Sequence, residues 1–247
     1  MPRIIPFRLA AVCALALSLT FAFTAVASAK GPVADLRVVG AGGKVLAEKT
    51  VASANVSVAT SPKATCFGPG TGGSGDDAQL KANTAMGLLA SGAKTIPALR
   101  PLLISDSFDF GLALCGIGSS VAKGKASWYL KINHESLEVG GDAAKIKTGD
   151  EVLWTLAPSF PYPDELVLTA PETAKAGSSF TVRVWAYDEK GKRAPQAGAK
   201  VTGAVEPTGA DGRTTVTLAK PAKLTARATG EIPSARVAVC VGGKCPK

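Results

Sequence analysis

Hydrophobic and polar positions alternate with a period of two along much of this chain, and the alternation is cleanest between Ser127 and Pro158. Trp128, Leu130 and Ile132 fall on one face of a run whose other face carries Tyr129, Lys131 and Asn133. After a Thr-Gly-Asp turn, Val152, Trp154 and Leu156 alternate with Leu153 and Thr155. Successive side chains of a strand point to opposite faces, so both runs predict strands with the tryptophans facing a core and Tyr129, Lys131 and Asn133 facing outward.

The same reading predicts strands over Ala34 to Val39, Lys44 to Ala52 and Val56 to Ala59, the first two joined by a Gly-Ala-Gly-Gly turn. A Gly- and Pro-rich loop follows from Cys66 to Gly75. Asp76 and Asp77 then read as caps of a helix running to Ser91, with Leu80, Thr84, Ala85, Leu88 and Leu89 on one stripe and Gly92 as its stop. Phe108, Phe110, Leu112 and Leu114 alternate into Cys115 as one further strand. One helix laid on a sheet predicts an α+β unit over residues 30–158.

The prolines at 158, 161 and 163 cannot donate ladder hydrogen bonds, and residues 159–163 read as a stiff linker. Beyond it the pattern contains only short alternating runs: Glu165 to Thr169, Ser179 to Tyr187, Ala199 to Val205, Arg213 to Leu218, Lys223 to Ala228 and Ala235 to Val241. Turn signals such as Glu189-Lys190-Gly191-Lys192 and Ala210-Asp211-Gly212 separate them. Six such runs predict an all-β, Ig-like sandwich over residues 164–247.

Composition places the chain in the cell before it says anything about chemistry. Arg3 and Arg8, the apolar run Leu9 to Val26 and the small-x-small triplet Ala27-Ser28-Ala29 form an export signal over residues 1–29, with cleavage before Lys30. Cys13 lies within that run behind Val12, which does not fit a lipobox, so it leaves with the signal. No second apolar run of spanning length follows, so the mature chain is expected to carry no transmembrane segment and to reside outside the cell or in its envelope. Four cysteines remain, an even number that in an exported chain reads as two disulfides with three formal connectivities. Cys240 and Cys245 enclose only Val-Gly-Gly-Lys, which leaves Cys66 to pair with Cys115 inside the first half and to stabilise it by about 4 kcal/mol. The CVGGKC pair has no histidine or further cysteine beside it, so no metal site is expected. Of the net charge of +9, Arg3 and Arg8 are lost with the signal; the remaining basic residues are scattered singly, without a nucleic-acid footprint.

With those residues in view, Ser127 to Pro158 resembles the closing motif of the transcobalamin C-terminal-like domain, a β-grasp-like module of bacterial exported proteins. The family pattern is Trp-x-Tyr-x-x-Asn-Gly, a spacer, then Gly-Asp-x-Val-x-Trp. Trp128 and Asn133 match the first part, and Gly149, Asp150, Val152 and Trp154 the second. His134 stands where the pattern has glycine, which implies a turn of a different type. The resemblance spans Val33 to Pro158. It implies recognition of a corrinoid, cobalamin being the ligand to test, shared with an α/α-barrel domain that this chain lacks and a partner chain would supply. The second half resembles carboxypeptidase-regulatory or invasin-like sandwiches, with Gly209 to Arg213 as the Asp-Gly turn.

Catalysis finds little support. A nucleophile needs a base within reach, and the single histidine, His134, sits at a hairpin turn with no G-x-S-x-G elbow to serve. Glu135, Glu138 and Asp142 nearby are explained by solvation of the turn. Gly68 to Gly73 satisfies G-x-G-x-x-G formally but contains a proline and follows no parallel strand, so it reads as a loop. The mixture of ring, cation and amide at Tyr129, Lys131, Asn133 and His134 is the set expected to bind a ligand. Arg183, Trp185 and Tyr187 on the second half read as a cation-π stack or a contact patch. The expected function is an exported, non-enzymatic binding protein without a bound cofactor, the alternative being a structural or adhesive envelope module that recognises protein or glycan.

Overall fold

A computed structural model describes residues 31–246. The expected export signal, with Arg3, Arg8 and Cys13, lies outside the described residues. In chain order, β1 (Val33–Gly40) turns through a short helical step at Ala41–Gly43 into β2 (Lys44–Ala52), and β3 (Val56–Ala59) pairs with β4 (Asp77–Leu80). Helix α1 (Ala85–Thr95) follows. Next come β5 (Leu102–Phe108), β6 (Gly111–Ile117), β7 (Ser120–Val121), β8 (Ser127–Ile132), β9 (Glu135–Ser136) and β10 (Glu151–Ala157). The main sheet has the order β2-β1-β10-β8-β9, with β1 and β10 parallel and every other pair antiparallel.

The inner face of that sheet carries Leu36, Val38, Leu130, Ile132, Val152 and Trp154, all buried against α1 through Met86, Leu88 and Leu89. Burial of that apolar area is what holds helix to sheet, at roughly 1.5–3 kcal/mol for each large side chain. Gly92 lets the two layers approach: a Cβ there would lie 2.7 Å from Leu36 Cδ2. Gly141 does the same at the sheet's far end, where a Cβ would lie 2.3 Å from the Trp154 ring.

The second half contains β11 (Glu165–Thr169), β12 (Thr173–Ala174), β13 (Ser179–Tyr187), β14 (Arg193–Pro195), β15 (Lys200–Val201), β16 (Arg213–Thr217), β17 (Ala222–Leu224), β18 (Ala226–Arg227) and β19 (Val237–Val241). Strand β13 is its spine, pairing β11 along one edge and β14 and β16 in succession along the other. Strands β12, β19 and β17 form a second small sheet, and β15 with β18 a third. Val182, Val184, Val216, Leu224 and Val239 fill the space between them.

The fold class read from the pattern is corrected by this arrangement. Strand makes up 45% of the structure and helix 8%, in several small sheets of which none is closed, so the protein is mainly β and not an α+β domain joined to an Ig-like sandwich. The expected second-half strands are cut short because single positions break them. Gly203 has φ +82, which ends the run from Ala199, and Thr225 interrupts Lys223 to Ala228 by bonding Thr202 instead of a ladder neighbour. Helix α1 also starts later and ends later than expected. Asp77 to Leu80 is extended because it pairs with β3, and Thr84 is the cap, its Oγ1 accepting from Gly87 N at 3.1 Å. Gly92 does not stop the helix, since its role is contact with Leu36. The single strand expected through Phe108 and Phe110 is a hairpin with Asp109 and Phe110 at its turn, which leaves Phe110 exposed.

Both disulfides are formed as expected, Cys66 with Cys115 and Cys240 with Cys245. Among the described residues no helix is long and apolar enough to cross a membrane.

Candidate functional site

The outer face of the main sheet was expected to be open, and it is not. The β1-β10-β8 register aligns Arg37, Leu153 and Lys131 in one row and Val39, Thr155 and Tyr129 in the next, and the second half of the chain lies on both rows. Lys131 is 1% exposed and Tyr129 8%. The Lys131 ammonium donates to the carbonyls of Tyr187 and Asp188, both at 2.9 Å, and lies 3.8 Å from Glu165 Oε2. Glu165 also pairs with Arg37, whose Nη1 donates to the Pro233 carbonyl at 2.8 Å. Val39, Leu153 and Ile232 pack beside this cluster as a small apolar seal.

Electrostatics at this joint follow from burial and pairing together. Burial raises the Glu165 carboxyl, but the His134 hydrogen bond and the charges of Arg37, His134 and Lys131 outweigh it and hold the group below the usual carboxylate range. Burial pushes Lys131 below the usual lysine range, and the pull of Glu165, Asp164 and Asp188 offsets that only in part. These residues fasten the two halves, so Lys131 does not form an open recognition surface.

Asn133 and His134 stand at the β8-β9 turn with φ +52 and +73, the two left-handed positions of a type I′ hairpin. The turn expected to differ for want of glycine is therefore left-handed after all. Asn133 compensates with its side chain, Nδ2 donating to Asp150 Oδ1 at 3.0 Å and Oδ1 accepting from Glu151 N at 2.9 Å. His134 Nδ1 faces Glu165 Oε2 at 3.1 Å, and its ring lies on Tyr187 with centroids 4.3 Å apart. A space of about 260 Å3 opens beside it, walled by Asp35, Arg37, Glu48, Glu151 and Glu165. Of the four expected ligand-binding residues, His134 alone meets this space; Asn133 turns to Asp150 and Tyr129 lines a different cavity.

That other cavity is the one with aromatic walls. Strand β9 pairs only with Lys131 and Ile132 of β8, so Ser127 to Leu130 form an edge that β9 leaves uncovered. On the far side β7 pairs only with Gly116 and Ile117 of β6. A cleft of about 280 Å3 lies between these two edges and wraps around β8, so that side chains from both of its faces line it. Its walls include Phe67, Phe110, Trp128, Tyr129, Trp154 and Tyr162, and no charged residue lines it. Tyr162 comes from the linker and stacks on Tyr129 with centroids 3.9 Å apart.

Trp128 Nε1, Tyr129 Oη and Trp154 Nε1 are buried without a hydrogen-bond partner, and they are three of only six such side-chain atoms among the described residues. A buried polar group left unpaired costs about 1–3 kcal/mol, and all three atoms are closed off from solvent, within the walls of the cleft and not on its open surface. Burial raises the Tyr129 phenol above the ordinary tyrosine range, against the pull of Ser136 beside it. The larger crevice between the halves, about 740 Å3, is lined by Gly40 to Gly43 and Thr229 to Pro233 together with Lys123, Thr155, Lys200 and Arg227, and Glu231 Oε2, on a partly exposed residue, is its one buried side-chain oxygen without a partner.

No family model, curated protein or solved structure matches the chain. The site therefore rests on its own geometry.

Elsewhere, Arg183 and Arg193 both lie over the Trp185 ring, at 3.8 and 4.6 Å from its centroid. The Gly68 to Gly73 loop is tied down, Ser105 donating to the Thr71 carbonyl at 2.6 Å and Gly73 to the Ser61 carbonyl at 2.8 Å. Asp142, read as a turn carboxylate, accepts from Leu112 N at 3.2 Å. The aromatic cleft escaped the sequence reading because Trp128 and Tyr129 belong to opposite faces of one strand. The legible signal was adjacent aromatics on a strand whose hairpin partner is only two residues long.

Proposed function

We propose that this protein is an exported, non-enzymatic binding protein whose ligand sits in the cleft at the open edge of β8. The observation that carries the reading is an uncharged cleft of about 280 Å3 walled by Phe67, Phe110, Trp128, Tyr129, Trp154 and Tyr162, with Phe67 and Phe110 exposed at its mouth. The two disulfides support an oxidising compartment outside the cytoplasm. The ligand class implied by the resemblance to transcobalamin C-terminal-like domains is a corrinoid. A cleft of about 280 Å3 takes one flat portion of such a molecule, leaving the rest against the rim. The rim is apolar and exposed at Phe67, Phe110 and Val139, which suits closure by a second chain, an α/α-barrel protein on this reading.

Titrating hydroxocobalamin into the purified mature protein, with and without α/α-barrel partner chains, tests the proposal. The expected result is a saturable change in the corrin absorption bands that strengthens when the partner is present. An unchanged spectrum under both conditions removes the corrinoid reading. A second reading, an adhesive module that recognises protein or glycan, is favoured by the Arg183-Trp185-Arg193 stack on the opposite half, a surface able to lie against a flat polar ligand.

A further inference from the structure

We infer that the outer face of the sheet built on β13 binds an acidic polysaccharide, whose carboxylates pair with Arg183, Arg193 and Arg213. The inference rests on the second reading above, in which the stack on Trp185 is a contact surface, and goes beyond it in fixing the chemistry of the partner. It concerns a different surface from the cleft at β8.

Val182, Val184 and Ala186 of β13 are buried in the second apolar cluster, so Ser179, Thr181, Arg183, Trp185 and Tyr187 point the other way. The first half of the chain covers that outer face at one end only, where the Tyr187 ring meets His134 and the neighbouring Glu165 is buried. Beyond that end the face is open. Trp185 and Arg183 are half-buried, and Thr169, Thr181, Arg213 and Thr215 are exposed.

The register gathers cations on this open part. Arg183 lies directly opposite Arg213 across β13 and β16, and Arg193 comes from β14. Like charges placed opposite each other on neighbouring strands destabilise a sheet. Little on the protein offsets them. Among the described residues neither Arg183 nor Arg193 forms an ion pair, and Arg213 has only Asp211, at 3.8 Å between two exposed side chains, a kind of pair that contributes little. Trp185 instead holds two of the cations in place: the guanidinium carbons of Arg183 and Arg193 lie 3.8 and 4.6 Å from its ring centroid, and Arg183 Nε donates to the Asp211 carbonyl at 3.1 Å. Stacking uses the flat face of a guanidinium and leaves its N–H edge to donate to an anion, and an arginine already stacked loses less freedom on binding.

The rest of the face sets the class of anion. Thr181 stands opposite Thr215, Ser179 opposite Thr217, and Thr169 opposite Arg183 on the other side, so hydroxyls border the arginines. None of the protein's large exposed apolar side chains belongs to β11, β13, β14 or β16. A protein or lipid partner takes its anchorage from such apolar groups. Guanidinium forks that match carboxylates, bordered by hydroxyls that both donate and accept, fit a hydroxylated polyanion. On an open face each contact is weak, so a chain that repeats its carboxylates gains from engaging several arginines at once.

Calorimetric titration of the mature protein with polygalacturonate, polyglutamate and dextran tests the inference, since the second carries charge without sugar and the third sugar without charge. Polygalacturonate is expected to bind at least about tenfold more tightly than either. Arg193→Lys keeps the charge on an exposed position but loses the fork and the stack, and should weaken that binding by about tenfold, whereas Lys94→Ala, which removes a charge from α1, should leave it unchanged. Equal binding of polyglutamate, or preference for it or for dextran, would overturn the assigned class while leaving a contact surface on β13. Full binding by Arg193→Lys, equal weakening by Lys94→Ala, or no binding of any probe would overturn the surface as well.

Discussion

Glu165 carries more of this structure than its position at the start of a strand suggests. It meets Arg37, Lys131 and His134 at the joint between the halves, all from the first half of the chain. Replacing it by glutamine leaves two buried cations without their counter-charge, and such losses cost about 3–5 kcal/mol. Glu165→Gln is therefore expected to lower the unfolding free energy by that amount in equilibrium denaturation, while a surface control such as Glu206→Gln leaves it unchanged. The pH dependence follows from the direction of the shift. The folded-state pKa is held below the ordinary value of 4.5, so the contribution of Glu165 is complete above that value and is lost as pH falls through the lower folded pKa. Acid unfolding of Glu165→Gln should accordingly be less steep below about pH 4.5 than that of the parent protein. The alternation that assigned Tyr129 and Lys131 to one face was legible in the sequence. Their burial was not, because the groups that cover them, Glu165 and the carbonyls of Tyr187 and Asp188, lie beyond the proline linker.

At the scale of elements, the period-two runs gave β1, β2, β3, β8, β10, β11 and β13 close to their observed bounds. The long strands were legible because each buries one full face. The helix was displaced because its boundaries depend on partners outside it: β4 is a strand by virtue of pairing with β3, and Gly92 is a packing position by virtue of Leu36. Two substitutions separate these roles. Thr84→Ala removes the N-cap and should cost about 1 kcal/mol. Gly92→Ala improves intrinsic helix propensity yet should destabilise by about 1–3 kcal/mol, because the added methyl meets the sheet at 2.7 Å. Chemical denaturation of both variants checks the pair; a stabilised Gly92→Ala would mean that helix and sheet are not in the contact described.

Across the whole molecule, two apolar clusters, one built on the main sheet and α1 and one around β13, meet through a polar joint, with Tyr162 of the linker packed on Tyr129. The cysteine pairs were legible because they depend on residue type and spacing alone. The Ig-like sandwich was not realised, since short runs separated by glycines with positive φ settle into several small sheets. The cleft belongs to this scale as well, because it is assembled from β6, β8, β10, α1 and the linker and no single segment announces it. Its occupancy is the central claim, and the three tryptophans offer a direct test, with two in the cleft and Trp185 on the other half as an internal control. Proton–nitrogen correlation spectra of the mature protein should show the indole N–H signals of Trp128 and Trp154 shifting on addition of hydroxocobalamin, with Trp185 unmoved. Three unmoved indole signals at saturating probe, or movement of Trp185 alone, would contradict it.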